Sequence, residues 1–126
     1  MAGIVVRSAH YPGRAPVDTY GNGGFRFAGM SHRGSLLCLP SGIYGWDPGG
    51  RIDREALARV FVEADQIEVL LVGTGTAMEP LATELAAALR ESGIVADAMS
   101  TGAAVRTFNV LLAENRAVAA ALVAVD

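Results

Sequence analysis

The stretch Glu68-Val69-Leu70-Leu71-Val72-Gly73-Thr74-Gly75-Thr76-Ala77 decides the fold. Four of its first five residues, Val69 to Val72, are apolar and partly β-branched, they stop at a glycine, and a pattern with a period near 3.6 follows. That order predicts a buried strand delivering the chain into a helix. Pro80 suits the first turn of the helix, which runs to about Ser92 with Leu81, Leu85, Ala88 and Leu89 facing inward and Gly93 as its C-terminal stop. Ile94 to Met99 forms the next strand. Ser100 or Thr101 then caps a helix to about Glu114, with Val105, Phe108 and Leu112 on its inward face, and Ala117 to Val123 closes the chain as a strand. Strands alternating with helices predict a largely parallel sheet joined by right-handed crossovers. The connection Asn115-Arg116 is short enough to turn the last strand antiparallel to its neighbours instead.

Upstream, Asp53 can cap a helix from about Arg54 to Ala64, with Leu57, Val60 and Phe61 on one face. Before the break at Asp47-Pro48-Gly49-Gly50 the period falls to two. Asn22-Gly23 is a hairpin signal of type I′, in which both central residues take positive φ. Phe25-Arg26-Phe27 alternates as a half-buried strand does, and Ser31-His32-Arg33-Gly34 supplies a second turn. Ser35 to Leu39 and Ile43 to Trp46 are strands separated by Pro40-Ser41-Gly42. Residues 1–50 are therefore β-rich and residues 51–126 carry the helix–strand alternation, within one domain spanning 1–126.

The composition narrows the chemistry. Of 126 residues, 52% are hydrophobic and 18% charged, enough apolar material to fill a core. Every basic residue is Arg, so Schiff-base chemistry, pyridoxal phosphate attachment and a phosphate-loop lysine are excluded. One Cys and two His are too few for a structural zinc site, and the sequence gives no ground for a metal or a cofactor. A net charge of −3 argues against a nucleic-acid binder. Residues 1–63 nevertheless balance at +2 and residues 64–126 at −5. Cys38, within Leu36-Leu37-Cys38-Leu39, reads as a buried thiol acting as a small hydrophobe. Met1 to His10 lacks the charged start and apolar run of an export signal, and no apolar stretch approaches the roughly 20 residues of a membrane-spanning helix. A cytoplasmic location is expected.

Two loops lie where open α/β sheets bind ligands, beyond the carboxyl ends of strands. Gly73, Thr74, Gly75 and Thr76 form the first, where backbone N–H groups could cradle an anion, although Met78 stands where the dinucleotide fingerprint needs a third glycine. Thr101 opens the helix that carries Arg106 and Asn109. Either an anion binds between that helix start and Arg106, or Arg106 pairs with Glu79, Asp97 or another acid while Asn109 ties down a loop. Catalytic combinations are thin: there is no Gly-x-Ser-x-Gly elbow, and His10 and His32 read as surface residues. Trp46 is either a lid on the core or an exposed anchor for a partner.

Several segments, taken together and in order, resemble a known family. They are Tyr20-Gly21-Asn22-Gly23-Gly24-Phe25-Arg26-Phe27, His32-Arg33-Gly34-Ser35-Leu36-Leu37, Leu39-Pro40-Ser41-Gly42-Ile43 with Trp46, Leu70-Leu71-Val72-Gly73-Thr74-Gly75, Met99 through Leu111, and Glu114-Asn115-Arg116. The chain is similar, from about Tyr20 to Val123, to the small domain family of unknown function that includes mitochondrial respiratory complex I assembly factor three and the adipogenesis-associated domain protein. The resemblance implies a three-layer α/β fold: a central mixed sheet with one strand opposed to the rest, and a small β layer beside it. It implies an assembly role exercised through protein partners, with some bacterial members encoded near genes for protein export and membrane insertion, and it supplies no catalytic residues. The family's motif positions here are Gly73, Thr74, Gly75, Thr101, Arg106, Thr107 and Asn109.

Pattern and resemblance give one fold expectation: a single three-layer α/β domain with a central, mostly parallel mixed sheet, helices packed on it and a small β layer from the N-terminal third. Two functions are carried forward. One is a non-catalytic interaction or assembly module in protein-complex biogenesis, with Arg26, His32 and Trp46 as candidate partner-binding residues. The other is a small anionic-ligand site, with or without enzymatic activity, at Gly73, Thr74, Gly75, Thr76, Thr101, Arg106 and Asn109. The partner is expected to be a protein, and the Ala-rich helices leave room for a homo-oligomeric interface.

Overall fold

The computed structural model describes residues 10–126, so most of the segment read for an export signal, Met1 to Ala9, lies outside the described residues. Eight strands and three helices follow in order: β1 (Val17–Gly21), β2 (Gly24–Phe27), β3 (Met30–Arg33), β4 (Ser35–Leu39), β5 (Gly42–Trp46), α1 (Ala58–Val62), β6 (Val69–Gly73), α2 (Thr83–Glu91), β7 (Val95–Met99), α3 (Thr101–Ala113) and β8 (Val118–Leu122). Strands β1-β2-β3 form a small antiparallel sheet, and the main sheet has the order β5-β4-β8-β6-β7. Strand β8 runs parallel to β6 and antiparallel to β4, and β4 is also antiparallel to β5. One strand, β4, therefore opposes the other four, as the resemblance implied.

The sheet divides two apolar layers. On one face, Ala104, Val105 and Phe108 of α3 pack with Val17, Phe25 and Phe27 of the small sheet over Leu36, Cys38, Leu71, Ala120 and Leu122. On the other, Leu57 and Val60 join Leu85 and Leu89 over Leu37, Leu70, Val72, Ala119 and Ala121. Strand β8, Val-Ala-Ala-Ala-Leu, is buried along its whole length, as a central strand covered on both faces must be, and its alanines let the layers approach closely. Cys38 is buried here, and burial pushes its thiol up to about 12.

Three local expectations are corrected. The second hairpin turn is at Ala28-Gly29, with φ of 49° and 75°, and Met30–Arg33 is a strand. Its signal is hidden because Ala stands at a left-handed position that glycine or asparagine normally takes. Asn22 and Gly23, at 53° and 78°, form the expected turn. Helix α1 is five residues long, preceded by turns rather than continuous from Arg54. The Asp53 carboxylate does accept the Ala56 N–H (2.8 Å), but the Ala56 carbonyl accepts the indole N–H of Trp46 (2.8 Å), and Val60 N–H turns to Leu57 O instead (2.9 Å). Helix α2 begins at Thr83 rather than Pro80: Ala82 before it is extended, at φ −58° and ψ 142°, and upstream the Glu79 N–H donates to Thr74 Oγ1 (2.9 Å). The last strand keeps the parallel direction toward β6 despite its short approach, aided by Asn115 at φ 61°. Gly93, at φ 86°, stops α2 as expected, with Ile94 N–H reaching Leu89 O (2.9 Å).

Candidate functional site

The ends of β6, β7 and β8 converge on one hydroxyl. Thr101 is 0% exposed; its Oγ1 accepts the Gly75 N–H (3.0 Å) and donates to Val123 O (2.7 Å), while its own N–H donates to Gly75 O (2.8 Å). A Cβ on Gly73 would stand 2.9 Å from Thr101 Cα and 3.1 Å from Leu122 Cδ2, so only glycine permits this approach. Thr74 closes the loop: its N–H donates to Met99 O (2.9 Å), and its Oγ1 donates to Ala77 O (2.8 Å) and accepts the Glu79 N–H (2.9 Å). Two of the amides read as an anion cradle, those of Thr74 and Gly75, are thus bonded within the fold, and Thr76 is left exposed.

Asn109 is likewise engaged, accepting Val17 N–H (2.9 Å) and donating to Val17 O (2.8 Å), so the carboxamide acts as a strand partner that fastens β1 to α3. The sequence placed Asn109 near the inward face and left open what it ties. Arg106 projects from the second turn of α3 and is exposed. It pairs with neither Glu79 nor Asp97; among the described residues the ion pair is Arg116 with Glu68 (2.8 Å). Ser100 is the cap of α3, accepting Ala103 N–H (3.3 Å).

Of the other candidate residues, Arg26 lies on β2 and His32 on β3 of the small sheet, and Trp46 ends β5 of the main sheet. A groove of about 1250 Å³ runs between α1 and the β3–β4 connection, lined among others by His32, Arg33, Tyr44, Trp46, Arg59 and Glu63. A smaller depression of about 500 Å³, with Tyr20, Arg26 and Ser31, shares His32 and Arg33 with it. Arg26, His32 and Trp46 are therefore brought onto one continuous surface. Trp46 is half-buried: it packs on the core beneath α1 and also lines the groove.

The walls of this groove are built from polar contacts that sequence reasoning missed. Glu63, nearly buried, accepts both Ser41 N–H (2.9 Å) and Ser41 Oγ–H (2.6 Å), and Ser41 Oγ in turn accepts from the Tyr44 hydroxyl (2.5 Å). The Arg59 guanidinium lies 4.2 Å over the Tyr44 ring. His32 Nε2–H donates to Ser35 O (3.2 Å), and its ring stands 4.7 Å from that of His10. Burial, then the neighbouring His10, pull the His32 imidazole below its ordinary value, against the opposing effect of the Ser35 carbonyl. His32 is half-buried while His10 is exposed, so the surface reading fits His10 better. Glu63 meets Ser41 from 22 residues away, and no local pattern announces such a pair.

No helix among the described residues is long and apolar enough to cross a membrane. An uncharacterised protein of Rhodobacter capsulatus is 40% identical over 116 residues, covering 92% of this chain and 90% of that one. The NADH dehydrogenase [ubiquinone] 1 alpha subcomplex assembly factor 3 of Mus musculus is 30% identical over 122 residues. That match covers 95% of this chain and 66% of the assembly factor, so the chain spans just under two thirds of that relative. Among solved structures, one described as an outer membrane protein from Bartonella henselae matches with a TM-score of 0.90 and 64% identity, covering 93% of this chain and all of that one. A family model described as protein of unknown function (DUF498/DUF598) matches residues 17–123, from the start of β1 to just past β8, and the chain belongs to this family.

Proposed function

We propose that the protein is a non-catalytic interaction module that acts from the cytoplasm in the assembly of a protein complex, receiving its partner on the surface shared by Arg26, His32 and Trp46. The observation that carries this reading is the similarity to an assembly factor over nearly the whole of this chain. The geometry is in keeping with it. An aromatic anchor, exposed arginines and a long groove together have the composition of a protein-docking surface, whereas the loops at the strand ends spend two amides, Thr101 and Asn109 on internal bonds. The partner is a protein, and a second copy of the chain is the other occupant to be tested. The reading calls for no cofactor.

One observation favours the second reading, a small anion held at Thr76 and Arg106 beside Gly73, Thr74, Gly75 and Thr101: Arg106 is exposed and has no ionic partner among the described residues. Native mass spectrometry of tagged protein captured gently from its own cells separates the two. A stoichiometric protein partner lost in Arg33→Glu supports docking at the groove. A small-molecule mass retained through purification and lost in Arg106→Ala overturns it in favour of the loop site.

A further inference from the structure

We propose that His10 and His32 form a pH-responsive latch that holds the His10–Tyr11 segment on the free edge of β5 and releases it as the pH falls. Strand β5 is an edge of the main sheet, and the main chain of Ile43 faces outward from it. The segment covers that edge: His10 N–H donates to Ile43 O (2.8 Å), and Ile43 N–H donates to Tyr11 O (2.9 Å). Tyr11 also packs against the core on the α3 side.

The two imidazoles lock the arrangement from above. Their centroids are 4.7 Å apart with the planes inclined by 44°. Both sit on Gly45, where a Cβ would fall 2.9 Å from His32 Cε1 and 3.3 Å from His10 Nε2. A side chain there would displace one ring or both. Two cations at this separation repel, and a half-buried one is also poorly hydrated.

The charged groups around the pair do not relieve that repulsion. Arg33 follows His32 on β3, and Arg26 on β2 shares the adjoining depression. Asp47 beyond β5, Glu55 before α1, Arg59 on α1 and Glu63 after it line the groove. Glu63 is committed to Ser41 and Arg59 to the Tyr44 ring, and among the described residues no carboxylate forms an ion pair with either imidazole.

The sign follows from linkage. His32 is lowered in the latched state by burial first and by His10 second, so the released state takes up protons more readily. The latch is at full strength above the ordinary histidine value of 6.5 and weakens as pH falls from there through the lowered value. Release uncovers the N–H and C=O of Ile43 as an unpaired strand edge.

Amide hydrogen exchange on the full chain at pH 7.5 and pH 5.0, corrected for intrinsic rates, tests this in the wild type, His10→Phe and His32→Phe. Protection at Ile43 is expected to fall by about tenfold or more at the lower pH, while Leu70 in β6 holds and both variants lose the response. Unchanged protection at Ile43, a parallel fall at Leu70, or the same fall in the variants would overturn the latch. Should His32→Phe not fold, His10→Phe at the exposed ring decides the matter alone.

Discussion

At the scale of single residues, the junction of the sheet with α3 depends on Thr101. Its hydroxyl supplies one acceptor and one donor to part-buried backbone groups at the strand ends, so removing it leaves both an N–H and a C=O without that partner. Thr101→Val, which preserves shape, is expected to cost about 3 kcal/mol in urea unfolding, while Thr101→Ser costs under about 1 kcal/mol because the bonds survive. Equal costs would show that the methyl group, and not the hydroxyl, holds the strand ends together. Thr101 was legible in the sequence as a residue of interest, but as a helix start beside a ligand loop. What the sequence did not carry was the partner at Val123, which only the parallel placement of β8 beside β6 brings within reach.

At the scale of elements, two side chains fasten pieces of the fold that backbone pairing leaves apart. Asn109 ties β1, an edge of the small sheet, to α3 through both Val17 main-chain groups. Asn109→Ala is expected to cost about 1–2 kcal/mol and to raise amide exchange in β1 ahead of β6; uniform exchange across the two strands would contradict that fastening. Glu63 plays the same part between the end of α1 and the β4–β5 hairpin, accepting two donors from Ser41. Glu63→Gln keeps one acceptor oxygen and loses the charge, so a cost of about 1–2 kcal/mol is expected by chemical denaturation, and a neutral result would remove the carboxylate from the account. Periodicity served well wherever packing decides the element: β4, β6, β8 and the inward faces of α2 and α3 could be read from apolar spacing alone. It failed where a distant polar group intervenes. The indole of Trp46 takes a carbonyl that would otherwise extend α1, and Thr74 holds the Glu79 N–H just ahead of Pro80.

At the scale of the whole molecule, the three layers set two candidate surfaces, one at the ends of the parallel strands and one across the small sheet and the β4–β5 flank. The ends of the parallel strands are closed by their own hydrogen bonds, whereas the flank beyond β4 and β5 is grooved, mixed in charge and lined by a half-buried tryptophan. The sequence offered Arg26, His32 and Trp46 as one candidate surface on the β-rich segment, without the contacts that bring them together. Their convergence depends on the β3–β4 connection at Gly34, whose φ of 103° swings the small sheet against the main one, and on the Gly34 N–H bond to Gly23 O (2.7 Å). Neither is visible as a local motif. The most direct measurement is therefore quantitative capture of the partner by Arg33→Glu, Trp46→Ala and, as the control at the other site, Arg106→Ala, each first checked for a wild-type unfolding transition. The docking account predicts about a thirtyfold loss of affinity in at least one groove variant, the effect of removing a central anchor, and none in Arg106→Ala. Full capture by both groove variants, with loss confined to Arg106→Ala, would contradict it and move the function to the strand ends.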